Sequence, residues 1–188
     1  MKVFFWLIIS LLFSFSEVHA HLRIQEITSA KGIKAWLVED HTTPVIALNF
    51  SFEAGASQDP EDKLGLAELV SQMLTQGAGK YNSHDFAKKL QEIASFISFN
   101  VTISHFQGSL KTTQTNAKEA FQLLKTTLAA PLFSADEFKK VANAHITTLS
   151  NLEKQPSTIA LYHLRKQIFG PSHPYARLVD GSLKTVPK

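Results

Sequence analysis

From Asn116 onward the sequence is written for helix alone, and that switch of periodicity limits the folds open to it. Residues 117–129 carry an apolar repeat of helical spacing that stops before Pro131. Ser134 is placed to cap a long helix reaching about residue 154, and Ser157 to cap another ending at Gly170. Ahead of the switch, residues 22–28, 32–38 and 44–52 read as strands. The turn-forming run Asp40-His41-Thr42-Thr43-Pro44 separates the second from the third, which predicts that these two are neighbours in an antiparallel sheet. Residues 63–76 set Leu66, Leu69, Val70, Met73 and Leu74 at helical spacing before Gly77 and Gly79. Ser83 is predicted to cap a helix over 84–94, and residues 96–104 and 106–113 complete the strands. Strands first and three successive helices afterwards predict an α+β layer, an antiparallel sheet with helices packed on one face.

The N-terminus has the form of a targeting segment. Lys2 precedes the apolar stretch Val3 to Phe15, and Val18-His19-Ala20 is a small-residue exit. Residues 1–20 are therefore expected to be a signal peptide and 21–188 the mature chain. The apolar stretch is shorter than the roughly 20 residues that cross a bilayer. No second run of spanning length follows, so the mature chain is expected to be exported without a membrane span. That means the periplasm if the source is a two-membraned bacterium, and secretion otherwise. The chain of 188 residues suffices for one core without disulfides, and it contains no cysteine. The absence of cysteine excludes thiolate zinc sites, iron-sulfur clusters and a Cys nucleophile. With 19 Lys plus Arg against 16 Asp plus Glu, scattered along the chain, no nucleic-acid footprint is expected.

The familiar chemical motifs are weak. The mature chain has His21, His41, His84, His105, His145, His163 and His173, with no pair three or four apart on one helix. A metal site could arise only if the fold joined remote residues such as His105 and His145. Gly77-Ala78-Gly79-Lys80-Tyr81 fails as a phosphate loop, because Leu74 stands where a glycine is needed and Tyr81 where Ser or Thr is needed. No Gly-x-Ser-x-Gly elbow is present.

Three stretches carry more information together: Phe52-Glu53-Ala54-Gly55-Ala56, Gly65-Leu66-Ala67, and residues 164–181 with His173-Pro174-Tyr175. In this order the chain resembles the N-terminal half-domain of the pitrilysin, insulysin and mitochondrial processing peptidase family, the inverzincin metallopeptidases. The resemblance implies a first helix bearing H-x-x-E-H, in which two histidines hold zinc and the glutamate serves as base. Here those positions are Glu68, Ser71 and Gln72, and the family's later glutamate ligand falls by spacing on Thr147 or Thr148. All four are lost, so no catalytic zinc and no other cofactor is expected. Glu68, Ser71 and Gln72 then read as the polar face of an amphipathic helix.

The resemblance further implies a contact role for Tyr175 or Arg177 beside a cleft, and capture of extended peptide along an edge strand such as 96–104. The expectation is a non-catalytic homologue that partners a zinc-bearing peptidase subunit or holds extended peptides. Two alternatives stand beside it: a zinc endopeptidase with other ligands, and a truncated remnant of a longer or split gene, since the resemblance covers less than one half-domain.

Overall fold

The computed structural model describes residues 23–186, which form two units meeting between Thr43 and Pro44. The signal peptide expected over 1–20 lies outside the described residues.

The first unit is a hairpin of β1 (Ile24–Thr28) and β2 (Lys34–Val38), paired antiparallel from Ile24 opposite Val38 to Thr28 opposite Lys34. Gly32, at φ 82°, supplies the left-handed turn residue, and its N–H donates to the Ser29 carbonyl at 2.9 Å. Lys34 and Glu26 pair across the strands at 3.0 Å. Every residue of both strands is exposed, Trp36 to 81%.

The second unit is built on a three-stranded antiparallel sheet of order β3 (Val45–Phe52), β5 (Phe106–Thr113), β4 (Phe96–Val101). The sequence reading made β2 and β3 neighbours; instead β2 pairs with β1, and β3 with the later strand β5. A hairpin signal between two segments is local, whereas β3 finds in β5 a partner of its own length, matched from Val45 opposite Thr113 to Phe52 opposite Phe106. Alternation divides the faces. Phe106, Leu110 and Thr112 of β5 and Ile97 and Val101 of β4 are buried, while Asn49, Ser51, Asn100 and Gln107 are exposed on the other side. Gly108 belongs to the buried row because the Phe50 ring fills the place of its missing side chain.

Helices α1 (Leu66–Met73), α2 (Ser83–Glu92) and α3 (Ala117–Ala129) contribute to the cores on the buried face of the sheet. Phe86, Ile93, Leu123 and Leu124 join Ile97 and Leu110 in one cluster, and Leu74 joins Val101 and Phe106 in another. Each fully buried Leu or Phe contributes about 2 kcal/mol of hydrophobic stabilisation. Helix α4 (Ala135–Leu152) packs on α1, with Leu149, Leu69 and Val186 in one buried cluster, and α5 (Pro156–Phe169) follows. The α+β layer expected from the sequence is present. Among the described residues no helix is long and apolar enough to cross a membrane.

Two caps differ from expectation. Asn82, not Ser83, caps α2, accepting the Asp85 N–H at 2.9 Å. Gln155, not Ser157, stands at the cap of α5, because Pro156 suits the first helical turn, where no N–H donor is needed. Ser134 caps α4 as read, accepting from Glu137. The first helix is also shorter than 63–76: Glu61–Lys63 form a separate 3-10 turn.

Candidate functional site

The site begins with how α1 is seated. Its N-cap residue is Gly65, at φ 94°, which has no side chain to offer the free N–H groups of the first turn. Asp59 supplies one from six residues upstream: its Oδ2 accepts the Gly65 N–H at 2.9 Å and its Oδ1 the Ala67 N–H at 3.0 Å. Burial pushes the Asp59 carboxyl above the ordinary 3.8, against the N–H groups of Ala67, Gly65 and Leu66 and the nearby Arg177 charge, which favour its ionised form.

Arg177 is committed to the same loop. Its guanidinium donates to the carbonyls of Ser57 at 3.2 Å and Asp59 at 3.0 Å and pairs with Glu61 at 3.4 Å. Tyr175 bonds Ser104 through its hydroxyl at 2.7 Å, and its ring lies beside Phe169 and His173. The His173-Pro174-Tyr175 run thus forms a turn tied to the sheet, with the Tyr175 ring still half exposed.

Glu68 and Gln72, two of the positions that the resemblance assigns to the metal motif, are bonded to each other: Gln72 Nε2 donates to Glu68 Oε1 at 2.9 Å. Ser71 is buried and its hydroxyl donates to the Glu68 carbonyl at 2.7 Å, which corrects the reading of all three positions as one polar face. Gln72 Nε2 also stands 3.4 Å from Nδ1 of His145, a buried residue of α4, whose Nε2 is 2.8 Å from the Asp180 carbonyl oxygen. A carbonyl oxygen only accepts, so Nε2 carries the imidazole proton and Nδ1 is left to accept from Gln72. One continuous set of hydrogen bonds thereby ties α1 to α4 and to the segment carrying Asp180.

The α4 residue that meets α1 at this level is therefore His145, not Thr147 or Thr148. Both threonines are exposed and turn their hydroxyls back to the carbonyls of Asn143 and Ala144. Thr148 lies one helical turn beyond His145, and the residue after it, Leu149, is the one that fills the core against Leu69. The sequence reading placed His145 only in a remote pairing with His105. His105 instead sits exposed in the β4–β5 turn, bonded through its backbone to Thr102. The usable signal was the apolar pairing of Leu69 with Leu149, which sets the register of the two helices and brings 145 opposite 72.

These donors do not fit a catalytic zinc. Such a site takes three strong protein ligands and keeps a position open for water. Gln72 offers a neutral amide, Ser71 is spent on backbone, and Glu68 and His145 are the only strong donors, both bonded to Gln72. Among the described residues no group of three or more His, Asp or Glu side chains is assembled to hold a metal.

Two glycines set the distance between α1 and the later segment. A Cβ on Gly65 would lie 2.5 Å from the Asp180 carbonyl oxygen, and one on Gly181 would collide with the Leu64 carbonyl. Backbone meets backbone here, which is why His145 can reach Asp180 while its other nitrogen faces Gln72.

Residues 34–177 match the model of the insulinase family of peptidases, peptidase family M16, and the chain belongs to that family. It is 28% identical over 164 residues to the Helicobacter pylori protein described as the non-peptidase homolog YmxG, covering 87% of this chain and 38% of that one. It is 26% identical to the Saccharomyces cerevisiae putative protease AXL1, covering 84% of this chain and 14% of the relative. Among solved structures, an inactive peptidase M16 domain from Pseudomonas fluorescens superposes with a TM-score of 0.82 at 26% identity, over 88% of this chain and 40% of that one. Pitrilysin shares the fold with a TM-score of 0.73 at 21% identity, over 92% of this chain and 18% of its own. The chain thus spans about two fifths of the first-named relative and of the first-named structure, and less of the others.

Proposed function

We propose that this chain is an exported, non-catalytic member of the family that partners an active, zinc-bearing homologous subunit and helps it hold extended peptide. The observation that carries the reading is the bonding of Gln72 to both Glu68 and His145. At Glu68 and Gln72, positions that the resemblance assigns to the family's metal motif, the side chains satisfy one another, and Gln72 also meets His145. A relative described as a non-peptidase homologue and a structure described as an inactive domain support the same reading. For peptide, β4 offers a strand at the edge of its three-stranded sheet, where an incoming chain gains backbone hydrogen bonds without any metal.

The test is native mass spectrometry of the tagged chain purified from its own cells, paired with a peptidase assay. The expected result is a metal-free chain in stable complex with a larger zinc-bearing homologue, and no hydrolysis of unfolded peptide by the isolated chain. Chelator-sensitive hydrolysis by the isolated chain, or one tightly bound zinc, would overturn the proposal.

A further inference from the structure

Burial singles out His145 of α4, since a neighbouring element or partner can deepen burial and never undo it. The residue is 3% exposed, and its two ring nitrogens are held unequally. Nε2 lies 2.8 Å from the Asp180 carbonyl oxygen, a short contact to an acceptor fixed in the main chain. Nδ1 lies 3.4 Å from Gln72 Nε2, a long contact to a flexible side chain. That same Nε2 is bonded more closely, at 2.9 Å, to the Glu68 carboxylate. A single amide nitrogen therefore separates a carboxylate from a buried imidazole.

Histidine is the side chain that changes charge in mildly acidic water. Here a proton can enter only at Nδ1, because Nε2 already carries one for Asp180. Its arrival turns Nδ1 from acceptor to donor and sets it against the N–H of Gln72. Two rearrangements answer the clash. If the Gln72 amide turned, its oxygen would accept from Nδ1 but would also face Glu68, leaving the carboxylate without its donor. If Glu68 crosses to Nδ1 instead, carboxylate and imidazolium satisfy each other in a charge-assisted bond, roughly twice as strong as a neutral one. The second course leaves no buried charge alone, so it prevails.

The charged groups around the ring are few. Glu68 is the only charged residue of α1. On α4 none stands within a turn of His145, Lys140 and Glu153 being the nearest. On the later segment Asp180 meets the ring through its carbonyl, and Lys184 is exposed.

We infer that His145 is a proton-operated latch. Neutral, it accepts from Gln72; protonated, it draws Glu68 away from Gln72 and fastens α1 to α4 by an ion pair. The latch belongs to the chain's own fold and does not rest on the partner-subunit reading.

The experiment is an NMR titration of the chain labelled with 15N and 13C. It follows the His145 ring nitrogens, assigned by their loss in His145→Asn, and the Glu68 carboxyl carbon, assigned by its loss in Glu68→Gln. The expected result is the Nε2–H tautomer at neutral pH, then protonation of Nδ1 as pH falls, with the Glu68 carboxyl signal moving at the same midpoint. Glu68→Gln should weaken proton uptake by His145 about tenfold, because the opposite charge is gone. Gln72→Met, which removes the competing amide, should not weaken it. Circular dichroism checks that each variant folds.

An imidazole that stays neutral until the chain unfolds would overturn the inference, as would a ring that protonates while the Glu68 signal stays still. Equal uptake in the natural chain and Glu68→Gln would do the same. Uptake weakened by Gln72→Met and not by Glu68→Gln would mean that the amide turns, which also overturns it. The two readings fail separately: a chain that pulls down no zinc-bearing homologue leaves the titration untouched, and a silent His145 leaves such a complex untouched.

Discussion

Asp59 governs more of this molecule than its place in a loop suggests. It stands in for the cap that Gly65 cannot provide, and it does so from a buried position where ionisation is costly. Because burial raises its pKa, the folded chain holds this proton more tightly than the unfolded chain does. Between 3.8 and the raised value, stability drawn from the group therefore falls as pH rises. Asp59→Asn keeps one acceptor, loses the second, and does not titrate. It should cost about 1 kcal/mol of capping, and the lead of the natural chain over the variant should shrink as pH is raised through that window. Urea denaturation midpoints of both proteins across the acid range would show it; a lead that grows with pH would mean the hydrogen bonds outweigh burial. Nothing in the sequence around Asp59 announces this role. A side chain that caps from six residues away depends on two intervening turns, and local pattern carries no such information.

At the scale of elements, what the sequence disclosed and what it hid divide by range. Helix α3 occupies the residues read for it, and α4 begins after the serine assigned as its cap, because helix signals lie within one or two turns of chain. The β2–β3 pairing was misread because a turn-like stretch between two strands does not say whether a third strand competes for the same edge. The site divides in the same way. Glu68 and Gln72 are bonded to each other within α1, but the α4 residue that meets Gln72 is His145 rather than Thr147 or Thr148, since spacing counted along the chain ignores how two helices set their register.

The joint between α1 and the segment of Gly181 permits a quantitative check. Gly181→Ala adds a Cβ against the Leu64 carbonyl at φ 77°, whereas Gly170→Ala, at φ 86°, meets nothing within 4 Å. The first should cost about 2 kcal/mol more than the second, the excess being contact strain over conformational strain alone. Thermal melts of the two variants measure the difference, and equal losses would mean the joint yields easily.

For the whole molecule, the two units should differ in how firmly they are held. A two-stranded hairpin with every residue exposed has little of its own to resist opening, while the sheet of the second unit is backed by a continuous core. Amide hydrogens of residues 24–38 should exchange faster than those of β5 by about two orders of magnitude or more, which corresponds to a difference near 3 kcal/mol in opening free energy. Exchange followed by mass spectrometry after pepsin digestion resolves the two regions, and equal protection would show that the hairpin is clamped by contacts outside itself. Class of fold and order of elements were legible because both follow from periodicity. The division into units was not, because it depends on which strands share a sheet.

The close meeting of Leu64 and Gly65 with Asp180 and Gly181 has a further consequence. That meeting is made of main chain, and the Glu68, Ser71 and Gln72 side chains take no part in it. The backbone contact thus does not depend on which side chains stand at 68, 71 and 72. A lineage can erase a reactive centre on such a helix, or rewrite it for recognition, while inheriting the helix's position unchanged.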